Sequence, residues 1–319
     1  MTVWLWVGFT AFILLMLALD LGVFHKKPEL MRPKEAFLWT GIWVALSLLF
    51  AALIYPMYQH DWLGVGETTG RLLEGKEATL EFLTGYIIEK SLSLDNIFVI
   101  ALIFTHFKVP ARLQHNVLVW GVLGALVMRG LMIWAGAALI LRFDWITYVF
   151  GALLLFTAVK LLLARHDDFD PEKNILFRFA RRLFPVTKGY ESDKFFTRLN
   201  GRRAVTPLFL VLVVVESSDV LFAVDSIPAI FSVTKDPFLV FTSNVFAILG
   251  LRSLFFALVG VLDKFRYLKT SLIYILSFVG VKMLLAHHYE IPIVVSLAVI
   301  LGILLVGVAA SVVKSSEES

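Results

Sequence analysis

The chain of 319 residues contains no cysteine. Disulfide bonds and thiolate metal sites are therefore excluded, and the sequence carries no indication of a redox compartment. Charged side chains are also scarce, at 17% of residues, whereas 59% are hydrophobic and the mean hydropathy is +0.84. This balance is typical of polytopic membrane proteins and argues against a soluble globular core.

Several motifs of enzymes are missing as well. The chain has no complete GxxxxGK(S/T) phosphate-binding loop, no HExxH zinc motif and no GxGD pattern of intramembrane aspartyl proteases. ATP-driven pumping is therefore not expected, and an intramembrane hydrolase that uses two aspartates is the least favoured function. We expect neither an enzyme nor a nucleic-acid partner, and no tightly bound cofactor.

Apolar segments long enough to cross a bilayer, which needs about 20 residues, recur along the chain. The fold class we predict is an all-α polytopic integral membrane protein with about nine transmembrane helices in one membrane domain, 1–313. The predicted spans are 3–24, 37–58, 79–105, 113–141, 145–164, 205–231, 238–260, 269–287 and 290–313.

The distribution of Lys and Arg predicts how the chain is oriented. With the N-terminus outside, 20 of the 29 basic residues fall in cytoplasmic segments and four in outer segments. The first span has no basic residue before it and no small-residue cleavage site, so it is expected to be retained. We predict a multi-pass protein of the cell (inner) membrane, with the N-terminus outside and a short cytoplasmic tail at 314–319.

One long cytoplasmic segment, 165–204, is expected to be folded. Asn174 is a candidate N-cap for a short amphipathic helix of sequence ILFRFARRLF. In that helix apolar and Arg side chains fall on different sides, as in a helix that lies on an anionic leaflet. Asn200-Gly201 between β-prone residues predicts a hairpin with a type I′ turn. The plainest interpretation of the segment is a connector.

Two parts of the chain share their spacing of charged residues. Because the spacings nearly agree, 79–164 and 205–288 are interpreted as two copies of a three-helix unit. Three is odd, so consecutive copies face opposite ways, a plan common in secondary transporters. An alternative alignment pairs Asp95 with Asp225, but it breaks the other spacings. In the preferred alignment the first copy has Asp95, Arg129 and Lys160, and the second has Asp219, Arg252 and Lys282.

Three carboxylates interrupt the apolar run from about 204 to 233. Each of Glu216, Asp219 and Asp225 costs roughly 2.5 to 3.5 kcal/mol at membrane depth if it is ionised. Three such groups within ten residues therefore need partners. Pro228 cannot donate a backbone hydrogen bond, so we expect the helix to kink or break near Asp225 and to free a carbonyl oxygen there.

Charges at membrane depth do not balance. Five acids face three bases, which leaves two negative charges in excess. Ion pairs between helices would account for Arg129 and Arg252 but not for every acid. The remaining carboxylates must be protonated or face a cation, and both possibilities stay open. The acids are Glu89, Asp95, Glu216, Asp219 and Asp225, and the bases are Lys90, Arg129 and Arg252.

Potential ligands at this depth are all oxygen atoms, because every histidine falls in a loop or at the end of a span. Such a set favours Mg²⁺, Ca²⁺ or Mn²⁺ over zinc and copper, without separating the first three. The candidate metal ligands are Asp95, Asp219, Glu216, Asp225, Glu89 and Asn96, and the candidate supporting network is Lys90, Arg129, Arg252, Ser91, Ser218 and Asn244.

Three long motifs carry a specific resemblance: EKSLSLDNIFV at 89–99, ESSDVLFAVDSIPAIF at 216–231 and TSNVFAILGLRSLFF at 242–256. They closely resemble the TerC family of integral membrane proteins, and in particular its Alx-like branch. The likeness runs over nearly the whole chain. It implies a role connected with tellurium resistance or manganese efflux, with the five acids in the positions where the family keeps its functional carboxylates.

The sequence thus favours a secondary exporter of divalent cations, with Mn²⁺ as the expected cargo and proton exchange as a possible coupling. Asp95 and Asp219 are expected to be the central, pseudo-symmetric ligands. The alternative is a non-transporting membrane scaffold or assembly factor, which would use the charges only to pack helices and would act through 165–204.

Overall fold

The described part of the chain consists of helices and one two-stranded hairpin. The computed structural model describes residues 3–18, 33–69, 73–143, 145–163, 174–187, 189–190, 193–199, 202–259, 267–286, 288–289 and 291–317. The helices are α1 (Val3–Ala18), α2 (Pro33–Gln59), α3 (Gly75–His106), α4 (Ala111–Arg142), α5 (Ile146–Leu163), α6 (Ile175–Leu183), α7 (Pro207–Phe231), α8 (Pro237–Ile248), α9 (Leu251–Leu258), α10 (Leu268–Leu285) and α11 (Ile293–Glu317). A 3₁₀ segment covers Trp62–Thr69, and the strands are β1 (Phe196–Leu199) and β2 (Arg202–Val205).

Helical structure overlaps every predicted span, as expected for a polytopic membrane protein. Within the described ranges, six segments are long and apolar enough to cross a bilayer. The count of nine spans, the orientation and the inverted repeat stay predictions. The six segments are Lys34–Gln59, Ala111–Arg142, Ile146–Leu163, Pro207–Phe231, Pro237–Leu258 and Ile293–Ser311.

The position of the helix break differs from the expected one. Helix α7 continues through Pro228 to Phe231, so the helix does not break beside Asp225, whereas the kink expected there stays a prediction. Pro228 lies in the last turn, where loss of one backbone donor interrupts little of the helix. The break lies instead between α8 and α9, where Leu249 is extended and Gly250 has a φ of +78°. Glycine adopts this left-handed conformation without the steric cost of a Cβ atom.

Aromatic side chains pack α1, α2, α3 and α8 together. Phe9 contacts Phe50 with ring centroids 5.5 Å apart, and Phe50 lies 4.7 Å from Phe246 and 5.4 Å from Phe82. Phe238 joins the same cluster, at 5.6 Å from Phe9. Such ring pairs stabilise packing by about 0.5–1.5 kcal/mol beyond the area that they bury. They form a rigid wall on one side of α3 and α8.

Two glycines bring α5 and α10 into close contact. A Cβ added at Gly151 would lie 3.0 Å from the carbonyl oxygen of Gly280, and one added at Gly280 would lie 3.0 Å from that of Gly151. Small residues allow this backbone approach, which drives helix association where lipid surrounds both helices. These are the third helices of the two predicted units.

The predicted helix and hairpin of the long connecting segment are both present. Helix α6 begins after Asn174, whose side chain accepts from the backbone N–H groups of Leu176 and Phe177 at 2.9 and 3.2 Å. Strands β1 and β2 pair antiparallel, with Leu199 opposite Arg202. The register fits a two-residue turn, while the predicted type I′ turn at 200–201 lies outside the described residues.

Candidate functional site

A buried arginine lies where α3, α4, α7 and α8 meet. Arg129 projects from α4 and is 2% exposed. It donates from Nη2 to Asp219 Oδ1 at 2.8 Å and from Nε to Asp219 Oδ2 at 3.1 Å, the two-pronged geometry that Arg forms with a carboxylate. Its Nη1 donates to Glu89 Oε1 on α3. One guanidinium therefore joins a carboxylate from each predicted repeat.

Neutral side chains complete the surroundings of this guanidinium. Arg129 Nη1 lies 3.4 Å from Asn244 Oδ1 on α8 and 3.5 Å from Ser226 Oγ on α7. The amide of Asn96 lies 3.5 Å from Asp219 Oδ1. These distances are at the long end for hydrogen bonds, so the amides contribute less than the carboxylates. We call the set the Arg129 centre, which consists of Glu89, Asn96, Arg129, Asp219 and Asn244.

The Arg129 centre contains two buried polar atoms whose hydrogen-bonding capacity is unused by the described residues. Within the described part of the chain, neither Glu89 Oε2 nor Asn244 Nδ2 has a hydrogen-bond partner, although both are buried. An unsatisfied buried polar atom costs about 1–3 kcal/mol, and more if it is charged. A cavity of about 30 Å³ adjoins Glu89, Asn96 and Asp219, which is enough for one water molecule or one small ion.

The break between α8 and α9 lies beside the same cavity. Ile248 and Leu251, on either side of the break, contribute to the cavity wall. Since α8 ends at Ile248, the carbonyl of Ala247 lies in its last turn, where carbonyls lose their helical donors. Lys90 Nζ donates to this oxygen at 3.1 Å. Lys90 therefore stabilises the broken helix, and it also interacts electrostatically with Glu89 of the centre.

Glu216 lies against α4 without entering the Arg129 centre. Its carboxylate packs directly on Gly124, where an added Cβ would overlap it. Gly124 is one turn from Gly121, which lines the cavity. Glycine at this position therefore allows a carboxylate of α7 to approach the backbone of α4.

Asp95 and Asp225 point to the outer helices of the two predicted units. Asp225 Oδ1 accepts from Thr157 Oγ1 of α5 at 2.8 Å, and Lys160 of the same helix interacts with it electrostatically. Asp95 interacts electrostatically with Lys269 of α10. Each of the two aspartates thus interacts with a lysine of a helix from the other predicted unit.

The pairing around Arg129 fits the alternative alignment that pairs Asp95 with Asp225. Glu89 lies six residues before Asp95, and Asp219 lies six before Asp225. Glu89 and Asp219 share one guanidinium, whereas Asp95 and Asp219 do not share a partner in any described contact. The expectation that Asp95 and Asp219 are the joint central pair is therefore not what this conformation presents.

Other predicted site residues satisfy their polar groups locally. The hydroxyls of Ser91 and Ser218 donate to the carbonyls of Ile87 and Val214, four residues earlier on the same helix. Ser218 still contributes to the cavity wall. Arg252 lies 3.2 Å, through Nη1, from Nδ1 of His115, and so contacts α4 rather than the Arg129 centre.

A cluster of several carboxylates is not found in this conformation. Among the residues that the structure describes, no group of three or more Asp, Glu and His side chains is close enough to hold a metal ion. The Arg129 centre instead offers two carboxylates and two amides. Whether Asp95, Glu216 and Asp225 act as metal ligands stays a prediction.

Two polar contacts were not foreseen. Tyr58 on α2 donates to Asp236 Oδ2 at 2.8 Å, and both residues are buried. Asp236 also caps α8, accepting from Phe238 N at 2.8 Å, and the Asp-Pro sequence before an apolar run was a signal for this cap. Asn174 donates to Ser217 Oγ at 2.6 Å, a contact between distant segments with no sequence signal.

The fold and the buried charges define a polytopic membrane protein with an ionic centre inside its helix bundle. The family profile described as "Integral membrane protein TerC family" matches residues 74–319, and the chain belongs to this family. A relative from Myxococcus xanthus, "Uncharacterized membrane protein STKORF319", is 50% identical over 98% of this chain and 92% of its own length. "Putative membrane-bound redox modulator Alx" of Escherichia coli (strain K12) is 50% identical over 94% of this chain and 91% of its own length. No solved structure matches the chain.

Proposed function

We propose that this TerC family protein is a secondary transporter that exports divalent metal cations, with Mn²⁺ as its expected cargo. The observation that carries the proposal is the Arg129 centre. The buried carboxylate of Glu89 and the half-buried carboxylate of Asp219 share one guanidinium, and Glu89 Oε2 has no hydrogen-bond partner among the described residues. With Glu89 and Asp219 ionised, the three side chains have a net charge of −1.

Charge balance permits a divalent ion at this position if Arg129 turns away from the two carboxylates. Buried carboxylates are stable only when they are paired or protonated. In the described conformation Arg129 is the internal counter-ion of Glu89 and Asp219. A divalent cation that takes its place neutralises the two carboxylates completely, and the carbonyl oxygens of Asn96 and Asn244 supply further hard ligands. Arg129 then remains within reach of Ser226, 3.5 Å away.

Release of the metal ion and return of the empty transporter depend on the same balance of charge between the carboxylates and their counter-ions. Glu89 and Asp219 lie on α3 and α7, which belong to different predicted repeats. A rocking motion of one repeat against the other would separate these ligands and lower their affinity for the bound ion. The emptied carboxylates then recover neutrality from Arg129 or from protons, and the second route gives metal/proton exchange. Transport in this scheme involves no covalent chemistry.

The experiment is Mn²⁺ uptake by inside-out membrane vesicles. We expect Glu89→Gln and Asp219→Asn to reduce uptake to the level of vesicles that lack the protein. Matched controls are Glu74→Gln and Asp193→Asn, because both side chains are exposed and lie away from the centre. Asp95→Asn is measured beside them, since the sequence placed Asp95 in the site. If Asp219→Asn leaves Mn²⁺ uptake unchanged, the proposal is contradicted.

The second candidate is a membrane scaffold or assembly factor that acts through the segment 165–204. Its support is that helix α6, within this segment, packs on α7 and that Asn174 is hydrogen-bonded to Ser217. A scaffold should tolerate Asp219→Asn but fail when 165–204 is replaced, and a transporter should show the reverse. Redox action through thiols is excluded in either case, because the 319 residues include no cysteine.

A further inference from the structure

Helix α6 has three distinct faces. At about 100° per residue, four exposed apolar side chains fall on one arc, two buried side chains on the next, and three exposed arginines on the third. The apolar residues are exposed over more than half of their surface: Ile175 is 80%, Phe179 is 59% and Leu183 is 57% exposed. The apolar arc holds Ile175, Leu176, Phe179 and Leu183, the buried arc Phe177 and Ala180, and the basic arc Arg178, Arg181 and Arg182.

The buried arc fixes the rotation of the helix. Phe177 is 4% exposed and packs on Phe107 at the end of α3, with ring centroids 5.5 Å apart. Asn174 anchors the start of α6 to Ser217 of α7. Neither the apolar arc nor the basic arc can therefore turn inward, and each must meet what surrounds the protein.

None of the acidic side chains that the structure describes neutralises the basic arc. Within the described ranges, Arg178, Arg181 and Arg182 make no ion pair. On the helical wheel the basic arc directly borders the apolar arc, so that one line along α6 separates them. A surface of lipid has this same order, with acyl chains next to phosphate groups. A protein interface can also combine apolar side chains with Arg, so a second copy of the chain is the occupant that the experiment must separate from lipid.

We propose that α6 is a binding site for anionic phospholipid, with its apolar arc among the acyl chains and its arginines on the headgroup phosphates. Arg is suited to this role, because its planar guanidinium binds phosphate oxygens in pairs. Charge asymmetry predicts that the surface concerned is the cytoplasmic one. The site does not depend on transport. It would, however, couple lipid to the bundle through Asn174, since Ser217 adjoins Ser218 in the cavity wall.

The test is equilibrium binding of fluorescent phosphatidylglycerol and phosphatidylcholine to the purified full chain in mild detergent. We expect the wild type to prefer phosphatidylglycerol. In R178Q/R181Q/R182Q that preference should fall by up to about a hundredfold, since each of the three basic residues near an anionic surface contributes about fivefold. The matched control is R198Q/R203Q, which removes two arginines that face each other in the hairpin.

Two further measurements distinguish lipid from the other candidate ligands of α6, which are soluble phosphate and a second copy of the chain. Glycerol phosphate should not displace the bound lipid, because it lacks acyl chains for the apolar arc. I175S/F179S/L183S should weaken the binding of both lipids and leave the oligomeric state unchanged. The proposal is overturned if the triple Gln variant keeps the wild-type preference, if soluble phosphate competes as well as lipid, or if the triple Ser variant converts a dimer to a monomer without loss of lipid binding.

Discussion

Replacing Arg129 by Gln removes the counter-ion of two carboxylates and leaves their surroundings intact. Glu89 is 1% exposed, whereas the side chain of Asp219 is 17% exposed. Breaking a buried ion pair by deleting one partner costs about 3–5 kcal/mol. We expect R129Q to lose free energy of unfolding in this range, mostly through Glu89, because solvent screens Asp219 in part.

The assay is the thermal unfolding midpoint of the purified full chain in metal-free detergent. Glu89→Gln added to R129Q should recover part of the loss, with a coupling free energy of about 0.5–3 kcal/mol, because the double variant no longer buries that unpaired charge. The matched control is Arg142→Gln at the exposed end of the same helix, which should stay within about 0.5 kcal/mol of wild type.

Mn²⁺ distinguishes a binding centre from a purely structural ion pair. With Arg129 absent, a divalent ion has no competitor for Glu89 and Asp219. At a concentration of 100 times its Kd it should therefore stabilise R129Q by about 2.7 kcal/mol, and the wild type by less. An R129Q protein as stable as wild type would refute the role of Arg129 as counter-ion. An R129Q protein that Mn²⁺ does not stabilise would refute cation binding at this centre.

Three further substitutions test the packing around the site, each by its thermal midpoint. Gly250→Ala should cost about 1–3 kcal/mol, because φ is +78° and the new Cβ would lie 2.6 Å from Cδ1 of Trp43; an unchanged midpoint would show that the break relaxes. Tyr58→Phe should cost about 1–3 kcal/mol, since buried Asp236 loses its donor at 2.8 Å, and wild-type stability would show that water replaces it. Gly280→Ala should cost about 1–3 kcal/mol through overpacking against α5, and a stable variant would mean that α5 and α10 slide apart.

Composition determined most of what could be foreseen about the helices. In a bilayer every backbone donor and acceptor must be satisfied within the segment, so long apolar runs can only be helical. Helix α6 was predictable for a different reason: Asn174 is a capping residue, and the apolar and Arg residues alternate with a helical period. The strands were likewise indicated by Asn200-Gly201 between β-prone residues.

The position of the helix break depended on contacts that no local pattern reveals. Pro228 looked like a breaker, but so close to the end of α7 it costs little. Gly250 sits within an apolar run, where no neighbouring residue marks it as the site of a break. Its conformation is favoured by Lys90, which donates to the carbonyl of Ala247 from another helix. A lysine 157 residues away in sequence gives no local signal at this position.

Charge counting predicted an excess of acid but not which acids meet. Glu89 and Asp95 lie about 120° apart on α3, and so do Asp219 and Asp225 on α7. Only the rotation of each helix decides which member faces Arg129. That rotation is determined by packing, including the aromatic wall on α3 and the contact of Glu216 with Gly124. The spacing of Arg and Lys pairs Asp219 with Asp95, whereas in this conformation Asp219 shares Arg129 with Glu89.

The central claim is that Glu89 and Asp219 together bind one divalent cation in exchange for Arg129. The most direct measurement is equilibrium binding of Mn²⁺ to the purified full chain, with free Mn²⁺ followed by electron paramagnetic resonance. We predict one ion per chain, lost in both Glu89→Gln and Asp219→Asn and retained in Glu74→Gln. Equal binding by the wild type and by both site variants would contradict the account.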